Sequence, residues 1–288
     1  MDTRELLKKV RQIEIKARRN SDHMLSGEYH SSFKGRGMTF SEVRLYQYGD
    51  DVRAIDWNVT ARLNETYIKV FEEERELTLL LVVDVSGSTH FGTQGRYKRE
   101  LAAEICASLA FSALANNDKV GVLLFADGPE RYIPPRKGKK HLLHIIREIL
   151  EYEPNTSSTS ISKTLPFLLN ILKKKAIIFM LSDFMDGDYL STLKIALRKH
   201  EMIGVRLFDP TEETLPNLGM LQVYDPEKRD YVWMNTSRKG VRQSFQDSQR
   251  KYAQYFRDAF TKFGGGAIEI DIHQPYLKKL MQYFKQHA

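Results

Sequence analysis

Residues 76–88 read ELTLLLVVDVSGS, a continuous apolar run that ends in an aspartate, two serines and a glycine. The run has no alternation of apolar and polar positions. A strand built from it must therefore be covered on both faces, as in the middle of a parallel sheet. In open sheets of that kind, ligands bind beyond the carboxyl ends of the strands. Asp84, Ser86, Gly87 and Ser88 stand at that point, so they are the first candidates for chemistry.

Working outward, three more apolar runs follow: KVGVLLF at 119–125, KAIIFML at 175–181 and EMIGVRLF at 201–208. Helical patterns over 96–116, 139–152, 160–172 and 189–199 alternate with them. This alternation predicts an α/β fold, a mostly parallel, Rossmann-like sheet with helices on both faces. Further on, 221–234 reads as an inserted β-hairpin, and a long helix over about 238–263 is stopped by Gly264–Gly266. A last strand at 267–272 and a final helix at 276–286 complete the chain.

The beginning of the chain differs. Residues 4–19 roughly follow helical spacing through Leu6, Leu7, Val10, Ile13 and Ile15. Residues 27–75 carry glycines at 35, 37 and 49 and aromatics at 33, 40, 46, 48 and 57, a pattern of turns and short strands. The expected organisation is an N-terminal helix and segment, 1–75, packed on a main domain, 76–288. Arg36, Asp51, Arg53, Asp56, Trp57 and Arg62 are expected to form a buried, ion-paired network locking that segment in place. A partner-binding surface is the rival reading of the same residues.

Composition narrows the classes. With 288 residues and 42% hydrophobic content, the chain can bury a sizeable core. A net charge of +7 permits contact with nucleic acid or anionic lipid without demanding it. Cys106 is the only cysteine, so no intramolecular disulfide forms and a reducing cytoplasm is expected. The first twenty residues are charged throughout and do not read as a signal peptide. No apolar run approaches the ~18 residues of a membrane span, so a soluble protein is expected.

Two other loops belong with the first. Ser182-Asp183 follows the 175–181 run, and the hydroxyl-rich stretch Asn155-Thr156-Ser157-Ser158-Thr159-Ser160 opens a helix between them. All these side chains offer oxygen, the donor that hard cations such as Mg²⁺ require. Thr156 and Thr159 compete for the ligand position on that stretch. A site made mostly of neutral hydroxyls leaves the ion's field partly unquenched, which invites a carboxylate from a partner. Without an ion, the two aspartates repel each other.

The pattern of an apolar strand, Asp-x-Ser-x-Ser, a later loop threonine and a later strand ending in Asp resembles the metal-ion-dependent adhesion site of von Willebrand factor A domains. The resemblance implies Ser86, Ser88 and Thr159 as direct ligands, with Asp84 and Asp183 bound directly or through water. Phe184 departs from the pattern, since many such domains have Gly after this aspartate. A closer resemblance lies in GRGMTFSEVRLYQYGDDVRAIDWNVTAR (35–62) followed by KVFEEERELTLLLVVDVSGST (69–89). These segments are similar to the prokaryotic "domain of unknown function fifty-eight" family. Its members join an N-terminal segment to a von Willebrand factor A-like domain and are typically encoded beside MoxR-type AAA+ ATPases. The resemblance implies a metal-dependent interaction or adaptor module, not an enzyme. It implies Mg²⁺ or Mn²⁺ as the ion and a MoxR-type AAA+ ATPase as partner, an acidic residue of which completes the coordination.

Two rival functions are carried. A metal-assisted hydrolase would need a general base near the ion, and Asp127, Asp186 and Asp188 are the candidates. An anionic ligand or nucleic acid would use Arg131, Arg136, Lys137, Lys139 and Lys140, although that run reads better as a solvated face. No G-x-x-x-x-G-K-[ST] loop and no H-E-x-x-H motif occurs.

Overall fold

The computed structural model describes residues 3–24, 39–72, 77–93, 95–225 and 230–287. The chain divides into two units, residues 33–77 on one hand and residues 1–32 with 78–288 on the other. The first helix thus groups with the sheet-bearing unit rather than with the segment that follows it.

In the larger unit the helix α1 (Thr3–Met24) is followed, beyond the smaller unit, by the central sheet and its helices. The six-stranded sheet has five parallel strands: β3 (Thr78–Asp84), β4 (Lys119–Phe125), β6 (Ile177–Ser182), β7 (Glu201–Phe208) and β10 (Gly266–Asp271). Its sixth strand, β5 (Pro129–Arg136), lies antiparallel on the edge, in the order β10-β7-β6-β3-β4-β5. β3 therefore sits between β4 and β6, and Leu79 to Val83 are fully buried, as its unbroken apolar run requires. β5 was not expected. Its sequence PERYIPPR holds three prolines, which cannot donate to a ladder and confine such a segment to a sheet edge.

The helices are α3 (Lys98–Ala115), α4 (Lys139–Glu151), α5 (Ile161–Ile171), α6 (Leu190–Lys199), the short α7 (Pro210–Glu213), α8 (Lys239–Thr261) and α9 (Tyr276–His287). Between α7 and α8 the hairpin β8 (Met220–Asp225) and β9 (Asp230–Asn235) forms its own two-stranded sheet. α3 is buried around most of its circumference, because α1 covers the side that would face water: Ile13 and Ala17 are buried there, and Lys16 pairs with Glu104 at 2.5 Å. Lys139 of α4 also reaches Glu14 at 2.7 Å. On the opposite face, α5, α6 and α8 enclose a core of Leu165, Leu168, Leu193, Phe256 and Phe260 against Leu80, Val82 and Met180.

The smaller unit pairs β1 (Thr39–Leu45) with β2 (Tyr67–Glu72) antiparallel, and α2 (Trp57–Leu63) lies between them in sequence. This helix was not expected from the turn-rich composition. Asp56 starts it by accepting the Asn58 and Val59 N–H groups, and Asn64 ends it in the left-handed region at φ 59°. Arg44 grips Asp50 with two bonds of 2.9 and 2.7 Å. Of the residues expected in a buried network, Asp56 is 8% exposed and lies 3.5 Å from Lys69. Asp51 and Asp56 serve as caps, Arg53 and Arg62 are exposed, and Trp57 is 69% exposed. Arg36 lies outside the described residues.

Candidate metal centre

Chain order reverses between β3 and β6: from β3 the connection runs one way to β4, and β6 returns on the other side. Such a switch point opens a crevice beyond the strand ends. Asp84 closes β3 and Ser182 closes β6 at that crevice.

Asp84 is 1% exposed, and its carboxylate organises the site. Oδ1 accepts the Ser86 N–H at 2.9 Å, which bends the chain immediately after the strand. Oδ2 accepts the Ser182 hydroxyl at 2.6 Å and the Thr159 hydroxyl at 3.5 Å. The turn aims Ser86 Oγ and Ser88 Oγ at each other, 3.2 Å apart. Gly87 donates its N–H to the Ser157 carbonyl at 3.0 Å, and a Cβ at Gly87 would meet Ser157 Cβ at 3.2 Å. Two loops thus touch through backbone, which brings the Thr159 hydroxyl up to Asp84. Thr156 is placed elsewhere, its hydroxyl accepting the Asp127 N–H at 3.4 Å.

Asp183 follows β6 and is 5% exposed. Its Oδ1 accepts the Met185 N–H at 3.3 Å, and its Oδ2 lies 3.4 Å from Lys98 Nζ. Burial, and then the nearby Asp183 charge, raise the Asp84 carboxyl above the ordinary carboxylate range, while the Ser182 and Ser86 bonds pull it back. Burial likewise raises Glu212, whose neighbour Lys98 opposes the shift.

The donors suit a hard divalent ion. The side chains that donate to Asp84, Ser182 and Thr159, do so through hydroxyl oxygens, and adjacent ligands of a Mg²⁺ octahedron with ~2.1 Å bonds stand about 3.0 Å apart. The Ser86–Ser88 spacing of 3.2 Å and the Thr159–Asp84 spacing of 3.5 Å need only small closure. Among the described residues no group of three or more His, Cys, Asp or Glu is assembled, so neutral hydroxyls make up much of this donor set.

All five residues expected from sequence, Asp84, Ser86, Ser88, Thr159 and Asp183, stand on the loops around this crevice. Sequence reading missed Lys98 and Glu212. Neither carries a local signal, since they lie 114 positions apart and meet only in space, at 2.8 Å. Two of the three hydrolase candidates are engaged: Asp127 pairs with Lys163 at 2.9 Å, and Asp186 accepts the Ile161 N–H at 2.6 Å. Of the basic run, Arg131 faces Glu148 at 3.5 Å and Lys139 faces Glu14.

Fold and crevice define an α/β protein with a hydroxyl and carboxylate cluster at the switch point of a mostly parallel sheet. The chain belongs to the DUF58 family, "Protein of unknown function DUF58", whose profile matches residues 42–255. It is 29% identical over 230 residues to "Uncharacterized protein Rv1480" of Mycobacterium tuberculosis, covering 79% of this chain and 73% of that one. YeaD of Bacillus subtilis is 32% identical over 123 residues, 42% of this chain and 27% of its own. Similar solved structures include an aerotolerance-related membrane protein from Bacteroides fragilis, at 14% identity and TM-score 0.48 over 73% of this chain and 99% of that one. The SpRpn10 VWA domain is similar at 9% identity and TM-score 0.41, over 72% of this chain and 94% of that one. No helix among the described residues is long and apolar enough to cross a membrane.

Proposed function

We propose that this chain is a metal-dependent protein-interaction module with a site of the metal-ion-dependent adhesion type. Ser86, Ser88 and Thr159 hold Mg²⁺ or Mn²⁺ directly, with Asp84 and Asp183 bound directly or through water. When bound, the ion supplies a Lewis-acid position that an acidic side chain of another protein can fill. The observation that carries the reading is the convergence of the Ser182 and Thr159 hydroxyls on Asp84, beside the Ser86–Ser88 pair. The chain's own part is to fix these oxygens on three loops, so that little ordering remains when the partner arrives.

The partner proposed is a MoxR-type AAA+ ATPase, on the strength of the family resemblance, and the module works in the cytoplasm without turnover of its own. Support for the last point is that Asp127 and Asp186 are already engaged with Lys163 and the Ile161 N–H. Co-purification with the purified ATPase in Mg²⁺ and then in EDTA tests the grip. Loss of the complex on chelation and in Asp84→Ala is the expected outcome. A complex that survives both is held by another surface.

A further inference from the structure

Lys98 opens α3, yet its side chain is only 2% exposed. Its Nζ stands 2.7 Å from Glu212 Oε2 and 3.4 Å from Asp183 Oδ2, with the Phe91 ring 5.9 Å away. A buried ammonium persists only where carboxylates compensate it. Here the two carboxylates come from the ends of neighbouring strands: Asp183 follows β6, and Glu212 lies in α7, just after β7.

Glu212 is itself fixed. It closes a capping box with Asp209, accepting the Asp209 N–H at 3.2 Å. Asp209 Oδ2 in turn takes the Thr93 N–H at 3.0 Å and the Thr93 hydroxyl at 2.7 Å. The ammonium is therefore held closer to Glu212 than to Asp183 by a carboxylate that cannot easily move.

We propose that Lys98 is an internal counter-charge that sets how tightly the centre holds its cation, and that Glu212 holds it partly off Asp183. The inference rests on the metal reading above. Lys98 and a divalent ion draw on the same Asp183 carboxylate, so the fixed ammonium lowers the affinity for the ion alone. An ion held weakly in this way depends on the partner's carboxylate to complete it, which makes the two bind together. Lys98 is a positioning residue: it touches Asp183, not the ion.

Two substitutions separate this role from a structural one, because they move affinity in opposite directions. Lys98→Met removes the competing charge at similar volume. Glu212→Gln keeps one acceptor oxygen for the Asp209 N–H but removes the charge that holds the ammonium, releasing it toward Asp183. Isothermal titration of MgCl₂ into each protein, with a metal-free thermal melt to show that it is folded, reads the effect. Lys98→Met is expected to bind Mg²⁺ about tenfold more tightly than wild type and Glu212→Gln about tenfold more weakly. Equal affinities in all three proteins, or shifts of the same sign in both variants, overturn the role of Lys98. If Lys98→Met does not fold, unchanged or tighter binding by Glu212→Gln suffices to overturn it. Wild-type affinity no greater than that of Asp84→Ala instead removes the metal reading itself, and this inference with it.

Discussion

The Phe184 ring lies 4.4 Å from the Phe256 ring, centroid to centroid, although the Phe184 backbone is left-handed at φ 55°. Most side chains avoid that region, at a cost of roughly 1–2 kcal/mol. Phe184 tolerates it because its ring is fully buried against Phe256 and Phe260. Phe184 thus anchors a left-handed turn directly after Asp183. The anchor fixes the residue next to Asp183.

Phe184→Ala is expected to destabilise the fold by about 3–5 kcal/mol, the usual cost of emptying a buried aromatic position. Phe184→Gly is expected to be at least as stable as Phe184→Ala. That reverses the ordinary order, in which Gly is worse by roughly 0.5–1 kcal/mol, because only Gly is unstrained at this φ. Urea unfolding of both variants checks the order; a clearly weaker Phe184→Gly contradicts the strain argument.

Asp84→Ala removes the carboxylate on which the Ser182 and Thr159 hydroxyls converge. Calorimetric titration is expected to show its Mg²⁺ affinity reduced at least about tenfold, since one charged ligand of a hard ion is lost. Equal affinity in wild type and variant would falsify the ligand assignment.

Purified protein is expected to release no phosphate from ATP above background. The sequence holds no G-x-x-x-x-G-K-[ST] motif, and Asp127 is paired with Lys163. Release that disappears in Ser88→Ala would turn the reading toward a metal-assisted hydrolase.

His200 gives a pH dependence. Its ring is 2% exposed, neither nitrogen has a hydrogen-bond partner among the described residues, and burial beside Lys199 holds it down to about 4. The unfolded chain takes up this proton near the ordinary histidine value, well before the folded one does. The stabilisation is therefore complete above about pH 6.5 and lost as pH falls toward 4. Denaturant midpoints across that range are expected to fall more steeply for wild type than for His200→Phe, by on the order of 2 kcal/mol. Parallel profiles would show that this ring does not report on folding.

The sequence by itself determined the parallel strands of the sheet. Unbroken apolar runs can only be central strands, so β3, β4, β6 and β7 were legible, with β4 and β7 at their observed ends. Oxygen-bearing residues directly after those runs marked the crevice loops, because strand direction fixes where the loops emerge. Local patterns were blind to β5, whose prolines mimic a loop, and to α2, which begins at an aspartate cap inside a turn-rich segment.

Only the tertiary structure placed the Thr159 hydroxyl at Asp84 and the Thr156 hydroxyl at the Asp127 N–H, because that placement depends on the Gly87 to Ser157 backbone bond that joins two loops. Only it placed Lys98 between Asp183 and Glu212. The reason is the same in both cases. Periodicity and motif spacing record which face of an element is apolar and where it ends. Which distant charges share one buried volume is set by how the elements pack, and no local pattern in the chain encodes it.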